Sequence, residues 1–216
     1  MPLDNKKLLQ ALKEVREKTK KRKFAQSIEL VVNLKDIDPK KPENRFQESI
    51  ELPYPPGKEN RICVIASGEM ALRAKMEGAD LVIQRDELEA LAGDKKRGKK
   101  LASAYAFFIA EAPLMPLIGR TLGTTLGPQG KMPTPVPPTA DIKGQMERLR
   151  KTVPLRMRAQ PVLQCRVGNE KMSDEEIAEN IQAIIRRIEG KLKRGLKNVS
   201  SVYLKMTMGS PVRVEI

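Results

Sequence analysis

The chain has 216 residues, of which 40% are apolar and 31% charged, a balance typical of a folded protein with one or two domains. Lysine and arginine outnumber aspartate and glutamate by 41 to 27, and the net charge of +14 favours a polyanionic partner such as nucleic acid. Histidine is absent, which excludes mechanisms that need imidazole as a base or a metal ligand.

The N-terminal quarter combines one helix with two strands. Leucine and valine recur at helical spacing over 5–20, and a basic cluster occupies 18–23. Residues 27–35 alternate between apolar and polar side chains, which predicts a half-buried strand, and a second strand is expected over 47–52. The first residues carry no long apolar run, so we expect no signal peptide and a cytoplasmic protein.

The middle of the chain changes to continuous apolar strands that alternate with helices. This pattern is typical of a parallel sheet covered on both faces. Its most apolar stretch, 101–119, is interrupted by a charge and two prolines, so no membrane span is expected. The expected elements are strands over 62–66, 81–83 and 105–110, helices over 69–77, 85–91 and 141–151, a basic helix or loop over 94–100, and a Gly/Pro loop over 123–138.

The last third returns to alternating strands. Apolar side chains alternate over 161–167 and 201–208, and a short final strand is expected over 212–216. Between them, Ser173 and Glu176 form a capping box that begins an amphipathic helix.

Alternating strands at both chain ends, around a middle of parallel type, predict a domain that is split in the sequence. We expect an α/β protein with a discontinuous α+β domain of residues 1–60 and 152–216 and an inserted domain of residues 61–151. The joined ends are expected to fold without the insert.

No motif supports catalysis or a bound cofactor. The run at 123–133 lacks the spacing of the phosphate loop, G-x-x-x-x-G-K, and Met132 stands where a serine or threonine would hold magnesium. Acidic pairs fall in the first turns of predicted helices, where they complement the helix dipole. Cys63 and Cys165 lie far apart in apolar runs, which indicates buried thiols. We therefore expect no catalytic residue, no metal and no cofactor.

The basic charge points to nucleic acid, but the aromatic signature of an RRM, a zinc finger and a bZIP repeat are all missing. Aromatic residues make up only 3% of the chain, so few bases can stack on them. We expect a polar sheet face with adjoining loops to contact a folded RNA through its backbone and 2′-hydroxyls. An anionic lipid surface is the alternative partner, but no basic amphipathic segment with bulky aromatics supports it.

The chain contains KFAQSIEL at 23–30, LGPQGKMP at 126–133 and SVYLKMTMG at 201–209. Together these segments resemble the ribosomal protein L1 family, the stalk proteins of the large subunit, and in particular its archaeal branch. The resemblance implies a split domain that binds large-subunit ribosomal RNA and an inserted Rossmann-like three-layer α/β domain.

The same resemblance implies a function and its partners. The expected protein forms the mobile stalk of the large ribosomal subunit near the tRNA exit site, where it helps deacylated tRNA to leave. It also represses its own operon by binding an mRNA site that mimics the ribosomal RNA. It is expected to be a monomer when free and to have no membrane partner. A Rossmann-like enzyme that uses the inserted domain is the alternative.

The resemblance further implies a set of RNA-contacting residues. The residues that match the family's motifs directly are Phe24, Ser27, Glu29, Thr207, Met208 and Gly209. The neighbours expected to contribute are Lys23, Gln164, Arg166, Ser201, Tyr203 and Lys205. The family usually has proline directly after the Thr-Met-Gly motif, whereas Ser210 precedes Pro211 here, so the turn is expected to differ.

The residues themselves partly agree with this set. Most of its members fall on the non-core face of predicted strands, where an ordinary solvated sheet is the alternative. Glu29 is expected to pair with Arg166 or to accept from a 2′-hydroxyl or a base amine. Phe24 and Met208 are alternatively core residues, and the even phase of Met208 supports that. Gly209 is expected to have a positive φ or to let RNA approach closely.

The LGPQGKMP run is interpreted as a tight, rigid loop with an architectural role in the inserted domain. A contact of this loop with ribosomal RNA or tRNA is the alternative.

Overall fold

The computed structural model describes residues 4–39, 41, 44, 46–57 and 59–215. Its α-helices are Asn5–Lys18 (α1), Gly68–Met76 (α2), Arg85–Ala90 (α3), Lys95–Ala104 (α4), Met115–Thr121 (α5), Gly123–Gln129 (α6), Ile142–Lys151 (α7) and Asp174–Lys191 (α8). Its strands are Ser27–Leu34 (β1), Gln47–Glu51 (β2), Ile62–Ile65 (β3), Leu81–Ile83 (β4), Phe107–Glu111 (β5), Thr134–Val136 (β6), Thr152–Arg156 (β7), Val162–Asn169 (β8), Val199–Met206 (β9) and Val212–Val214 (β10). Residue 216, at the end of the predicted last strand, lies outside the described residues.

These elements group into two units. One unit takes the described residues of Met1–Glu59 and Lys151–Ile216, and the other takes Asn60–Arg150. Independent folding of either unit stays a prediction.

Strand β1 is a central strand of the first unit. In the sheet order β10-β9-β1-β8, it pairs antiparallel with β9 on one side and with β8 on the other. Its even-numbered residues are buried, as the alternation predicts, and they share one core with apolar residues of α1 and α8. The odd-numbered residues therefore form the opposite face of the sheet.

The capping box of α8 is confirmed. The Ser173 hydroxyl accepts a hydrogen bond from the Glu176 amide at 3.3 Å, and the Glu176 carboxylate accepts one from the Ser173 amide at 3.1 Å. These two bonds satisfy donors that every helix start leaves unpaired. The apolar stripe of the helix then joins the core.

A two-stranded antiparallel sheet of β2 and β7 completes the first unit. Strand β7 was not predicted, because Pro154 and Arg156 obscure its apolar alternation. Glu48 of β2 forms ion pairs with Arg187 at 2.6 Å and Lys191 at 2.9 Å, both on α8. The hydrogen bonds from Lys191 and Arg187 lower the pKa of Glu48 below its usual value, although partial burial opposes them.

The second unit is a parallel sheet of order β4-β3-β5-β6 with helices on both faces. Helices α2 and α7 pack on one face, and α3, α4, α5 and α6 pack on the other. Strand β3 is buried at every position, as the continuous apolar run predicts.

The expectation of a Gly/Pro loop over 123–138 is wrong. The segment contains helix α6, which is capped by Gly130 with φ of 70°, and then strand β6. Leu126 is fully buried in the core, and this burial outweighs the weak helix propensity of glycine and proline. Helix α5 was also missed, and the basic segment at 94–100 is part of the helix α4.

Asn180 is a fully buried polar residue that joins three segments of the first unit. Its side chain accepts a hydrogen bond from the Tyr54 amide at 3.0 Å and donates to the carbonyls of Tyr54 at 3.1 Å and Val167 at 2.9 Å. These bonds fix the segment after β2 against α8 and β8.

We predict that Asn180→Ala lowers the free energy of unfolding by about 2 to 3 kcal/mol, because three backbone groups lose a buried partner. Urea unfolding measures this change. Arg186→Ala, at an exposed position of the same helix, is the control and is expected to stay within about 0.5 kcal/mol of the unaltered chain. Equal stability of the two variants would contradict a structural role for Asn180.

Candidate nucleic-acid interface

One face of the first sheet carries the odd-numbered residues of β1. On this face, charged and polar side chains form rows across the strands. Glu29 of β1 stands opposite Arg166 on β8 and opposite Lys205 on β9. In the next row, Val31 lies between Gln164 and Tyr203. All six of these side chains are partly or fully exposed, and five of them are polar or charged, so the face offers cations, an anion and hydrogen-bonding groups together.

Arg166 lies in this row under partial burial, which lowers the pKa of its guanidinium from the ordinary value. Arginine remains charged under physiological conditions, and its five N–H donors suit phosphate oxygens or a base edge. The pairing of β1 with β8 shifts register between Ile28 and Glu29, so Val167 is an extra residue on β8. This bulge lies next to the Glu29–Arg166 pair.

Ser201 differs from its expected position. It is only 8% exposed, and its hydroxyl accepts a hydrogen bond from the Asn33 side chain at 2.9 Å. Its phase on β9 predicts a solvated hydroxyl, but the hydrogen bond to Asn33 on the neighbouring strand holds the hydroxyl against the sheet. Asn33 is the half-buried residue that remains accessible in this row, and sequence reasoning did not select it.

Arg213 was also missed. It is exposed on β10 directly opposite Tyr203, so it extends the polar face by one strand. Its position between buried Val212 and Val214 is a signal in the sequence that identifies it as a residue of this face.

The segment Thr207, Met208 and Gly209 follows β9 and is bonded to the start of β1. The Thr207 amide donates to the Ser27 carbonyl at 3.1 Å, and its hydroxyl accepts from the Ser27 amide at 3.2 Å. These bonds join two of the three segments that carry the family resemblance. They also occupy the Thr207 hydroxyl within the protein, so a Thr207→Val change alters stability as well as any RNA contact.

Gln26 connects this turn to two further segments. It is only 1% exposed, and its side-chain oxygen accepts from the Met208 amide at 3.2 Å. Its side-chain nitrogen donates to the Lys20 carbonyl at 3.1 Å, and its own carbonyl accepts from the Glu170 amide at 3.0 Å. A single buried amide therefore fixes the basic cluster beside the turn.

Arg16 holds the end of α1 in the same neighbourhood. Its guanidinium donates to the Asp174 carboxylate at 2.8 Å and to the carbonyls of Glu170 and Met172 at 2.7 Å each. The exposed cations at and after the end of α1 are thereby held next to the sheet. The basic residues of this cluster are Lys18, Lys20, Lys21, Arg22 and Lys23.

Phe24 and Met208 are exposed, at 52% and 58%, so the alternative that they belong to the core is wrong. Met208 has an even number, like the buried residues at the end of β9, which predicts burial. The strand ends at Met206, however, and the chain turns immediately afterwards. An exposed phenyl ring beside lysines is suited to stack on a base, and the flexible thioether suits a contact with a ribose or base face.

Gly209 does not have the positive φ that is one of the two expectations for it, and the close approach of RNA stays a prediction. Its φ lies outside the left-handed region, and the atom that approaches it belongs to this chain: a Cβ at Gly209 would lie 2.3 Å from the Thr19 hydroxyl oxygen. Glycine is therefore needed here because the turn packs against the end of α1.

The LGPQGKMP run is not a loop over its first four residues, which lie in α6, but it does make an architectural contact within the inserted unit. The Lys131 ammonium donates hydrogen bonds to the carbonyls of Ala102 and Tyr105, which are among the unpaired groups at the end of α4. Burial lowers the pKa of Lys131. The interaction joins the segment after α6 to α4.

The inserted unit presents the crevice where parallel sheets usually bind nucleotides, at the carboxyl ends of β3 and β5. Here the Glu111 carboxylate accepts hydrogen bonds from the Ser67 amide at 2.9 Å and the Ser67 hydroxyl at 2.7 Å. A carboxylate of the protein thus lies at the N-cap of α2, where its charge opposes the binding of a phosphate.

The two thiols are buried and not activated. Burial raises the pKa of Cys63 to about 12, and burial together with the nearby Glu29 charge raises that of Cys165 to about 12. Across the described ranges, no three or more His, Cys, Asp and Glu side chains are grouped to hold a metal ion. Within the same part of the chain, no helix has the length and apolarity to span a membrane.

Comparison with known proteins agrees with the resemblance of the three segments. The model of the family described as "Ribosomal protein L1p/L10e family" matches residues 15–210. "Large ribosomal subunit protein uL1" of Methanothermococcus thermolithotrophicus is 49% identical over 213 residues, covering 99% of this chain and 100% of the relative. The protein of the same name from Pyrococcus abyssi is 51% identical over 216 residues, covering 100% of this chain and 98% of the relative. The predicted family and its archaeal character are confirmed.

We predict that Gly209→Ala lowers the free energy of unfolding by about 1 to 3 kcal/mol, because the added methyl displaces Thr19. In a Thr19→Ala background the same substitution is expected to cost clearly less, since the closest atom is gone. A double-mutant cycle of thermal unfolding measures the difference. Gly119→Ala, with open space at its Cβ, is the control and is expected to be neutral or stabilising. An equal cost of Gly209→Ala in both backgrounds would contradict this packing.

Proposed function

The chain belongs to the ribosomal protein L1p/L10e family, and on that premise we propose that it binds large-subunit ribosomal RNA directly. The binding surface is the face of the sheet β10-β9-β1-β8 that carries the odd-numbered residues of β1. The turn at 207–209 and the basic cluster at 18–23 adjoin it. The observation that carries this proposal is the hydrogen bonding of Thr207 to Ser27 and of Met208 to Gln26, because it brings two of the three matched segments into one surface.

The chemistry of this surface suits a folded RNA. Lys205, Arg166 and the cations after α1 neutralise phosphates, while Tyr203 and Gln164 have groups that hydrogen-bond to 2′-hydroxyls or base edges. Glu29 stands between Arg166 and Lys205 in the row, and it limits phosphate binding there while it accepts from a 2′-hydroxyl or a base amine. Such a mixture favours one RNA shape over any polyanion.

The wider role follows from family membership. We propose that the protein forms the mobile stalk of the large subunit near the tRNA exit site and helps deacylated tRNA to leave. We also propose that it represses translation of its own operon, since an mRNA that presents the same RNA shape would occupy the same surface. Large-subunit RNA, its own mRNA and exit-site tRNA are then its partners, the free protein is a monomer, and the ribosome in the cytoplasm is its location.

An enzymatic role is disfavoured by the residues of the inserted unit. Glu111 occupies the start of α2, and both thiols are held protonated by burial. We propose a structural protein without a cofactor.

We predict that Phe24→Ala weakens binding of a large-subunit rRNA fragment about 5- to 150-fold, the loss expected when one stacked base loses its aromatic partner. Because the ring is half exposed, the melting temperature is expected to change little. A gel shift with tRNA as competitor, together with a thermal melt of the same preparation, measures both quantities.

Leu72→Ala is the matched control, because it removes a similarly exposed apolar side chain from the inserted unit. Its affinity for the fragment is expected to equal that of the unaltered chain. If Phe24→Ala binds the fragment as tightly as this control, Phe24 is not a contact. If the unaltered chain does not prefer the fragment to tRNA, the proposed function is wrong.

A further inference from the structure

Helix α4 concentrates positive charge in the inserted unit. Five of its first six residues are basic and all five side chains are exposed, over about 7.5 Å of helix axis. That length is within one Debye length at physiological salt, so the ions of the solvent screen the repulsion only partly. The five residues are Lys95, Lys96, Arg97, Lys99 and Lys100.

These charges oppose the stability of the helix that carries them. Lys95, Lys96 and Arg97 occupy the first turn, where the helix dipole disfavours cations. Lys99 lies one turn after Lys95, and Lys100 one turn after Lys96, so like charges face each other along the helix. The carboxylate of Asp94 at the N-cap, which accepts a hydrogen bond from the Arg97 amide at 3.0 Å, offsets part of this cost. A bound external anion would relieve it further.

Other helices of the chain balance their cations with acids. Lys18 pairs with Glu14 on α1, Arg73 with Glu69 on α2 and Arg85 with Glu89 on α3, each one turn apart. Within the described part of the chain, the five side chains of α4 form no ion pair and no side-chain hydrogen bond. A face that served solubility alone would not need unpaired charges of one sign at consecutive positions.

The opposite side of α4 is fixed to the unit. Gly98 and Ala102 are buried, and a Cβ at Gly98 would lie 3.4 Å from the Thr125 hydroxyl oxygen of α6. The Lys131 ammonium binds two carbonyls at the end of the helix. The glycine permits close packing against α6, so the helix backbone is fixed while the basic side chains lie on its exposed side.

We infer that the exposed face of α4 is a second contact for RNA, one that binds the phosphate backbone without reading the sequence. That the partner is RNA rests on the proposed function. A cluster of unpaired cations on a well-packed helix suits the phosphate backbone of RNA, and its binding there releases counterions. The backbone belongs either to the RNA held by the sheet or to a second RNA molecule.

The test compares two triple variants of the full chain. Lys96→Gln, Lys99→Gln and Lys100→Gln together remove three charges from α4 and keep helix propensity. The control variant, Arg61→Gln, Lys75→Gln and Lys143→Gln, removes three exposed charges that are scattered over the same unit, the last two on helices across the sheet from α4. Both variants have the same net charge.

The affinity of each protein for a large-subunit rRNA fragment is measured between 50 and 300 mM salt, an order-of-magnitude range over which phosphate contacts change affinity strongly. We expect the slope of log K against log salt to become shallower by about two units in the α4 variant and by less than one in the control. The melting temperature of the α4 variant is expected to be equal or higher, since repulsion within the helix is reduced.

A second arm adds an unrelated RNA duplex to the preformed complex of protein and fragment. If the α4 variant has a shallower salt dependence for the fragment in the first arm, α4 contacts the RNA that the sheet holds. If the variant loses only the binding of the duplex in the second arm, α4 contacts another RNA. If the α4 variant equals the control in both arms, the inference is overturned while the proposed function stands. If the unaltered chain fails to bind the fragment at all, the proposed function fails first.

Discussion

The rest of the first unit depends on the pairing of β1 with both β8 and β9. This pairing joins the N-terminal segment to the last third of the chain, and the Thr207 hydroxyl meets the Ser27 carbonyl across 180 residues of sequence. The entropic cost of closing a loop grows only with the logarithm of its length, so a whole unit between the partners adds little further cost. The ladder bonds and the core under the even-numbered face offset that cost.

The same pairing creates the candidate RNA surface. Each residue of β1 that faces outward meets one neighbour on each side, so a slip of one residue would bury Glu29 and expose Ile28. The register is maintained by the core and by the buried amide of Gln26, which binds the Met208 amide after β9. The three hydrogen bonds of the Arg16 guanidinium fix the end of α1 to the segment between β8 and α8. The first unit would then supply the specificity for one RNA, and α4 in the second unit would add electrostatic affinity for the backbone.

Local patterns predicted the elements whose burial repeats regularly. The alternation of β1 and the capping box at Ser173 are short-range signals, and both are present as expected. The predictions failed where long-range packing decides: α6 forms through glycine and proline because Leu126 is buried, and Ser201 turns inward because Asn33 on the next strand binds it. The contact of Gly209 with Thr19 has no local signal at all.

The central claim is that the joined chain ends hold the specific RNA surface. The direct measurement is rRNA-fragment binding by a protein in which residues 59 and 151 are connected by a short linker, with tRNA as competitor and circular dichroism as the check of folding. We expect this protein to melt cooperatively, to prefer the fragment over tRNA, and to have a shallower salt dependence than the full chain. A joined protein that folds but no longer distinguishes the fragment from tRNA would contradict the account.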